Sequence, residues 1–366
     1  MAMRYALNME AKQEMCGIAG ILSAGRGSPP ERVELTAMIG RLHHRGPDGT
    51  GFLVDGPIGL AHARLSIIDL AGGQQPIHNE DRKIWVVFNG EIFNYIELRR
   101  ELEAQGHRFY TQSDTEVIVH LFEQHGERFV DHLNGQFAIA LWDAQRQNLV
   151  LARDRTGIRP LFYTECAGRL IFASEIKALF ALPEVQRCIR PQALAEIGTY
   201  WSPLAPYTAF DGVLSLPPGH MLVAGNGVQR IRKYWDWSFP RHVEAAQFDE
   251  EEYANELREL LIDSVKLQLR ADVPVGAYLS GGLDSSIITS IIHNFTDTPL
   301  RTFSLTFEDA EFDESAHQRE LVEYLGTDHT SLHCTRADIA DAFPRTIFHA
   351  ESPIVRTAPT PLMLLS

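Results

Sequence analysis

The apolar positions along the chain fall into two regimes. From residue 16 to about residue 200, short apolar runs broken by glycine predict strands at 17–22, 59–65, 84–89, 137–142, 148–153 and 170–173. Between them, apolar residues at helical spacing predict helices at 31–43, 95–104 and 115–125, the last with Val117, Leu121 and Phe122 on one side. Antiparallel sheets flanked by helices satisfy this order of elements.

The pattern changes after the Pro- and Trp-containing stretch 215–240. Asp249 and Glu252 are placed as N-cap and N3 of a capping box, opening a helix whose Tyr253, Leu257, Leu260, Leu261 and Val265 form an apolar stripe. A buried strand at 275–279 runs into Ser280-Gly281-Gly282-Leu283-Asp284-Ser285-Ser286 and a helix at 287–293. A strand at 301–307 then precedes a helix at 314–325 that Gly326 stops. Strand and helix in alternation predict a parallel doubly wound sheet. The expected partition is an extension at 1–15, a domain at 16–210, a linker at 211–245 and a second domain at 246–366.

Composition narrows the partners. The chain has 366 residues, 45% of them hydrophobic, which is enough for two cores. A formal charge of -15 argues against nucleic acid and against anionic membrane surfaces, leaving small molecules as the expected partners. No apolar run reaches the ~20 residues of a membrane helix, and Arg4, Glu10, Lys12 and Glu14 interrupt any secretory signal. Cys16, Cys166, Cys188 and Cys334 lack the spacing of a disulfide framework or a cysteine zinc site, so a reducing cytoplasm is expected.

Cys16 follows Met15 directly. It is either a small buried cysteine beginning a strand or a nucleophile. If residues 1–15 are removed, or translation begins at Met15, thiol and α-amine share one residue. An amine with a pKa near ~8 can then take the thiol proton. The second chemical signal is Ser280 to Ser286. Glycines at the entry to a helix let backbone N–H groups approach an anion, and Ser280, Ser285 and Ser286 add hydroxyl donors. Asp284 would repel a phosphate unless a cation lay between them, which suits Mg²⁺.

The string SGGLDSS resembles the pyrophosphate loop of ATP pyrophosphatases. Together with Met15-Cys16-Gly17-Ile18-Ala19-Gly20, it makes the chain from Cys16 to Ser366 resemble the glutamine-hydrolysing asparagine synthetases. The resemblance implies an α+β N-terminal nucleophile glutaminase domain with αββα layers. An α/β doubly wound parallel-sheet ATP-pyrophosphatase domain, carboxy-terminally incomplete, is implied to follow it.

By resemblance to class II glutamine amidotransferases, Cys16 attacks the glutamine side-chain amide. Arg64, in Arg64-Leu65-Ser66-Ile67-Ile68-Asp69, grips the glutamine α-carboxylate, a role suited to a guanidinium fork. In Phe88-Asn89-Gly90-Glu91-Ile92, the Asn89 side chain and the Gly90 N–H stabilise the tetrahedral intermediate. Asp114 matches the carboxylate that holds the α-amino group, while its local pattern reads as a helix N-cap. Leu65, Ile67, Ile68 and Glu91 complete the implied glutamine site, and Arg45-Gly46-Pro47-Asp48-Gly49 matches a substrate-side loop without a catalytic step.

In the second domain, Leu279, Ser280, Gly281, Gly282, Asp284, Ser285 and Leu305 are the implied ATP contacts, Asp284 binding Mg²⁺ through the pyrophosphate. The implied reaction releases ammonia from glutamine and amidates an adenylated aspartate, giving AMP and pyrophosphate. The family allows a homodimer. Glu351 to Pro359 departs from the Asp-Pro pair of many asparagine synthetases, which leaves open another carboxylate acceptor on a polysaccharide sugar or a peptide. A second Ser-Gly-Glu-Gly nucleotide contact does not occur before Ser366. An inactive or glutaminase-only relative is therefore a further alternative, and this form is expected to keep at most the glutaminase half reaction.

Overall fold

The computed structural model describes residues 15–23, 25, 27–239, 249–309 and 311–366. Residues 1–14 of the expected extension and 240–248 of the expected linker lie outside them. The described chain divides into two compact units. Residues up to Asp236, joined by Ile347–Val355, make one; Trp237–Thr346 and Arg356–Ser366 make the other.

The first unit holds two six-stranded antiparallel sheets. One runs Leu214–Ser215, Phe162–Cys166, Arg169–Ala173, Gly17–Ser23, Ile58–Arg64, Gly49–Asp55 in spatial order. The other runs Val228–Lys233, His220–Gly225, Asn148–Arg153, Gly135–Asp143, Ile84–Ile92, Ile77–His78. Three apolar clusters define four layers. Leu35, Met38 and Ile39 of the helix Arg32–Gly40 pack on Ala19, Ile21, Ala61 and Ala63 of the first sheet. Ile18, Leu60 and Phe172 meet Val87, Trp142 and Leu222 between the sheets. Leu98, Leu102, Val117 and Leu121, from the helices Tyr95–Ala104 and Glu116–His125, cover Val86, Phe88 and Ile139 of the second sheet. This is the αββα order that the family resemblance implied.

Because successive strand residues point to opposite faces, Ile18 and Leu22 enter the intersheet core while Ala19 and Ile21 enter the helix-side core. All residues from Gly17 to Leu22 are buried, so the strand is a continuous apolar run with no polar face.

Several elements depart from the sequence reading. The helix expected at 31–43 is Arg32–Gly40, opened by a capping box in which Glu31 N–H donates to the Glu34 carboxylate. The expected linker 211–245 differs most. Its residues Leu214–Ser215, His220–Gly225 and Val228–Lys233 are strands of the two sheets, paired to Phe162–Tyr163 and to Asn148–Ala152. The last two strands form a hairpin across Asn226 and Gly227, both at positive φ (50° and 77°), the conformation that an Asn-Gly pair accommodates most easily.

The second unit holds three parallel strands in the order Gly276–Tyr278, Arg301–Phe307, Asp328–Cys334, with intervening helices Leu283–Phe295 and Ser315–Leu325. Gly326 ends the latter helix in a left-handed conformation and donates to Val322 O, as expected. Asp249 caps the helix Glu250–Gln268 by accepting from Glu251 and Glu252 N–H. Its apolar stripe is covered only in part. Val265 is buried with Ile291 and Ile292, whereas Tyr253, Leu257 and Leu260 are exposed. Among the described residues no helix is long and apolar enough to cross a membrane.

Trp142 is fully buried between the two sheets. Trp142→Ala is expected to destabilise the first unit by about 3–5 kcal/mol, read from denaturant unfolding; a loss below about 1 kcal/mol would show that the intersheet core does not depend on it.

Candidate active site

The Gly17–Ser23 strand pairs with Ile58–Arg64 in a register that sets Gly17 opposite Ala63, so the residues before and after this pair, Cys16 and Arg64–Leu65, come together at the sheet end. The Cys16 Sγ lies 3.5 Å from Leu65 O and 3.4 Å from Leu65 N. Phe88 to Glu91 arrive from the other sheet, and Ser113 to Thr115 from the turn before the helix Glu116–His125. One cavity is lined by Cys16, Arg64, Leu65, Ile67, Ile68, Asn89, Gly90, Glu91 and Asp114. Every residue the sequence nominated for glutamine is therefore brought to one place.

The electrostatics of the cavity are dominated by desolvation. Burial pushes the Cys16 thiol up to about 11, with Asp114 adding to the rise and the Leu65 backbone, Arg64 and Arg159 acting against it. At pH 7 that leaves roughly one thiolate in 10⁴ molecules, so the sulfur needs a base in contact with it to react. Among the described residues no histidine lines the cavity. No Cys–His pair of the kind that activates many thiols is formed among the described residues.

Asp114 is buried and accepts a hydrogen bond from Ile92 N–H at 2.9 Å. Burial raises its pKa to about 6, with Glu91 adding repulsion. It does not cap the helix as its local pattern suggested. The N-cap is Thr115, and the carboxylate turns instead toward the strand Ile84–Ile92 and the cavity. A cation entering the cavity would offset the buried charge.

Asn89 is the most informative residue. Its side chain is completely buried, yet neither its oxygen nor its nitrogen has a hydrogen-bond partner among the described residues. Such a group costs about 1–3 kcal/mol, and it lines a cavity from which a polar ligand could satisfy it. Gly90 follows because no side chain fits: a Cβ there would stand 2.0 Å from Gln136 O.

Arg64 is buried and already donates to the carbonyls of Leu70, Ile68 and Asp69. Three of its five N–H groups thus hold the 65–70 loop over the cavity, a structural task the sequence did not reveal.

Three further residues hold positions that sequence reasoning did not assign. Arg45 Nε–H donates to Cys16 O at 3.0 Å and its Nη1–H to Glu175 at 2.8 Å, so the expected substrate-side loop anchors the Cys16 backbone. Burial opposes ionisation of Glu175, but His44, Lys177 and Arg45 hold its carboxyl well below the usual range. Arg159 lines the cavity and contacts Met15 Sδ. Glu175 and Arg159 form no local motif; the polar turn Asp154 to Arg159 between strands was the signal available for Arg159.

In the second unit the loop at Ser280 to Gly282 leads into a helix that begins at Leu283, four residues earlier than expected, because Ser285 and Ser286 hydroxyls bond Gly282 O and close the first turn. Ser280 Oγ receives Gly282 N–H at 3.2 Å and lies 3.0 Å from Ser285 Oγ. Gln318, buried and unremarked in the sequence, donates to Ser280 O and Leu305 O, tying together the ends of two parallel strands. Leu279, Ser280 and Leu305 therefore adjoin one another, while Asp284 is exposed in the helix's first turn.

Residues 15–235 match the family described as glutamine amidotransferase domain, and residues 256–366 match the family described as asparagine synthase. The chain is 35% identical to asparagine synthetase [glutamine-hydrolyzing] 1 of Bacillus subtilis, over 96% of this chain and 55% of that protein. It is 36% identical to amidase chyE of Penicillium rubens, over 93% of this chain and 54% of that protein. It is also 36% identical to asparagine synthetase [glutamine-hydrolyzing] 3 of Arabidopsis thaliana, over 96% and 57%. The chain thus spans about half the length of the curated relatives it matches.

Asn89→Ala removes two unpaired buried polar atoms, so it is expected to leave the thermal midpoint unchanged or raised, in contrast to truncation of a hydrogen-bonded core asparagine. A loss of more than about 2 kcal/mol in a calorimetric melt would show that Asn89 serves the fold.

Proposed function

We propose, for a chain that belongs to the family joining a glutamine amidotransferase domain to an asparagine synthase domain, that the first unit hydrolyses glutamine and that the second uses the ammonia to amidate an ATP-activated carboxylate. The observation that carries the reading is Asn89, a fully buried amide without a partner in the same cavity as Cys16.

In this reading the glutamine α-carboxylate meets Arg64 and its α-ammonium meets the Asp114 carboxylate, with Leu65, Ile67, Ile68 and Glu91 as the remaining walls. Cys16 Sγ attacks the side-chain amide carbon, and its proton passes to the α-amine of Cys16 once the preceding residues are absent. The thiol's shift to about 11 is what makes that neighbouring amine necessary. Negative charge developing on the amide oxygen is stabilised by Asn89 Nδ2–H and by Gly90 N–H. The C–N bond then breaks, the proton goes from the amine to the departing ammonia, and a thioester remains on Cys16. Water cleaves the thioester to release glutamate and regenerate the thiol.

In the second unit, Ser280, Gly281, Gly282, Asp284 and Ser285, with Leu279 and Leu305, would hold ATP, the loop and helix N-terminus facing its pyrophosphate. Mg²⁺ held mostly by phosphate oxygens and water fits the single exposed carboxylate of Asp284, and when bound it would offset phosphate charge. Aspartate is the proposed acceptor, supported by the asparagine synthetase relatives. The amidase relatives of comparable identity favour keeping other carboxylates in the test.

Three outcomes check this proposal. Asn89→Ala should lower kcat for glutamine hydrolysis about 10²- to 10³-fold, and an unchanged kcat would remove Asn89 from the oxyanion site. The kcat/KM for glutamine should fall as pH drops through about 6, because Asp114 is ionised above that value and loses its charge below it. Asp114→Asn should lack this acid limb and raise KM about 10- to 100-fold. Amino-terminal sequencing of the active protein should find Cys16 first; an intact Met1 on a fully active protein would refute the amine as base. The acceptor is read separately, as AMP release by protein spanning the relatives' full length, given glutamine, ATP, Mg²⁺ and aspartate or a panel of other carboxylic acids. No aspartate-dependent AMP would exclude aspartate.

A further inference from the structure

A second cluster of reactive side chains lies apart from the glutamine cavity, none of its members lining it. Glu80 sits in the turn before the strand Ile84–Ile92, His107 just after the helix Tyr95–Ala104, and His120 and Glu123 one turn apart on the helix Glu116–His125. One ligand atom from each lies within 4.8 Å of all the others. His120 Nδ1 is 3.2 Å from Glu123 Oε2 and 3.5 Å from Glu80 Oε2; His107 Nδ1 is 3.5 Å from Glu123 Oε2 and 4.0 Å from Glu80 Oε1.

We infer that Glu80, His107, His120 and Glu123 form a structural Zn²⁺ site. Four ligands at Zn–N and Zn–O distances of about 2.0–2.1 Å in a tetrahedron stand about 3.3 Å apart, so the observed spacings describe a cage that closes by small side-chain movements. Two imidazoles with two carboxylates suit Zn²⁺. Mg²⁺ and Ca²⁺ prefer oxygen alone, and two carboxylates neutralise a divalent ion.

The surroundings are those of a built site. Asn79 Nδ2–H donates to Glu123 Oε1 at 2.8 Å, the oxygen turned away from the histidines, and Arg108 N–H to Glu80 Oε1 at 2.7 Å, which leaves Glu80 Oε2 facing His120. On the side away from the cage, His120 Nε2 is buried and makes no hydrogen bond within 3.5 Å among the described residues. It points toward Glu116 Oε1 at 3.6 Å, and Glu116 is itself buried and held by Tyr110 and Thr111 N–H groups. A metal on Nδ1 places the ring proton on Nε2, where it donates to Glu116, the carboxylate–histidine–metal arrangement that orients metal ligands. Glu80 and Glu123 are partly exposed and give the ion its entry path, while His120 closes the inner side. The ion would join the 79–82 turn, the segment after the helix Tyr95–Ala104, and the helix whose preceding residues include Asp114 and Thr115.

The test uses the full chain stripped with a chelator and then titrated with Zn²⁺ against a chromophoric competitor, and separately with Co²⁺ as a spectroscopic probe. Expected are one more equivalent of Zn²⁺ than the double variant Glu80→Gln/His107→Ala binds, and a tetrahedral Co²⁺ visible spectrum lost in that variant. Glu116→Gln should weaken the same site about 10- to 100-fold. Glu80→Gln alone, altering only a partly exposed side chain, guards against a folding defect in the double variant and should also lose affinity. Equal Zn²⁺ stoichiometry in the wild type and the double variant, or an octahedral Co²⁺ spectrum, overturns the site. The outcome is independent of glutamine hydrolysis.

Discussion

The position of Cys16 depends on one strand. Gly17–Ser23 is hydrogen-bonded on both sides, to Ile58–Arg64 and to Arg169–Ala173, and buried between two apolar cores. A register slip of one residue would exchange its two faces and move every side chain to the opposite core. The residue before it is therefore fixed relative to Arg64 and Leu65. Arg45, bonded to the Cys16 carbonyl and to Glu175, holds the backbone just outside the ladder.

Two sheets meeting face to face then bring the chemistry together. Phe88 to Glu91 belong to the second sheet, and their approach to Cys16 is set by the intersheet packing of Val87, Trp142 and Phe172. The result is a cavity whose polar groups are poorly satisfied: a thiol with too high a pKa to ionise unaided, a carboxylate raised by burial, and an amide with no partner. Each is a local cost, and each is a group that a different part of the proposed glutamine substrate would satisfy. Strain of this kind concentrates where a ligand is meant to complete the structure. The site of the second unit is assembled differently. Ser280, Gly282, Ser285 and Ser286 bond within their own turn, and Gln318 ties that turn to the neighbouring strand.

The strands that were missed show what periodicity cannot resolve. His220–Gly225 and Val228–Lys233 lie in a region whose Pro and Trp content suggested a linker, although the Asn226-Gly227 pair was a legible hairpin signal. Asp114 illustrates the converse. A Ser-Asp-Thr-Glu run before a helix satisfies the pattern of an N-cap, but burial beside Ile92 N–H gave the carboxylate another partner. Arg64 carries a structural duty to three carbonyls that are contributed by its own loop, a contact invisible until the loop folds back.

The sequence by itself determined the order of chemistry-bearing segments, the sheets flanked by helices in the first part of the chain, and the strand–loop–helix around SGGLDSS. These are local: they rest on side-chain alternation, glycine turns and helix starts within a few residues of one another. Only the tertiary structure decided that Asn89 is left without a partner among the described residues, that Arg45 and Glu175 anchor the Cys16 backbone, and that Glu80, His107, His120 and Glu123 converge. Each of those facts depends on which groups remain desolvated and facing one another after distant segments have packed, and desolvation is a property of the whole fold.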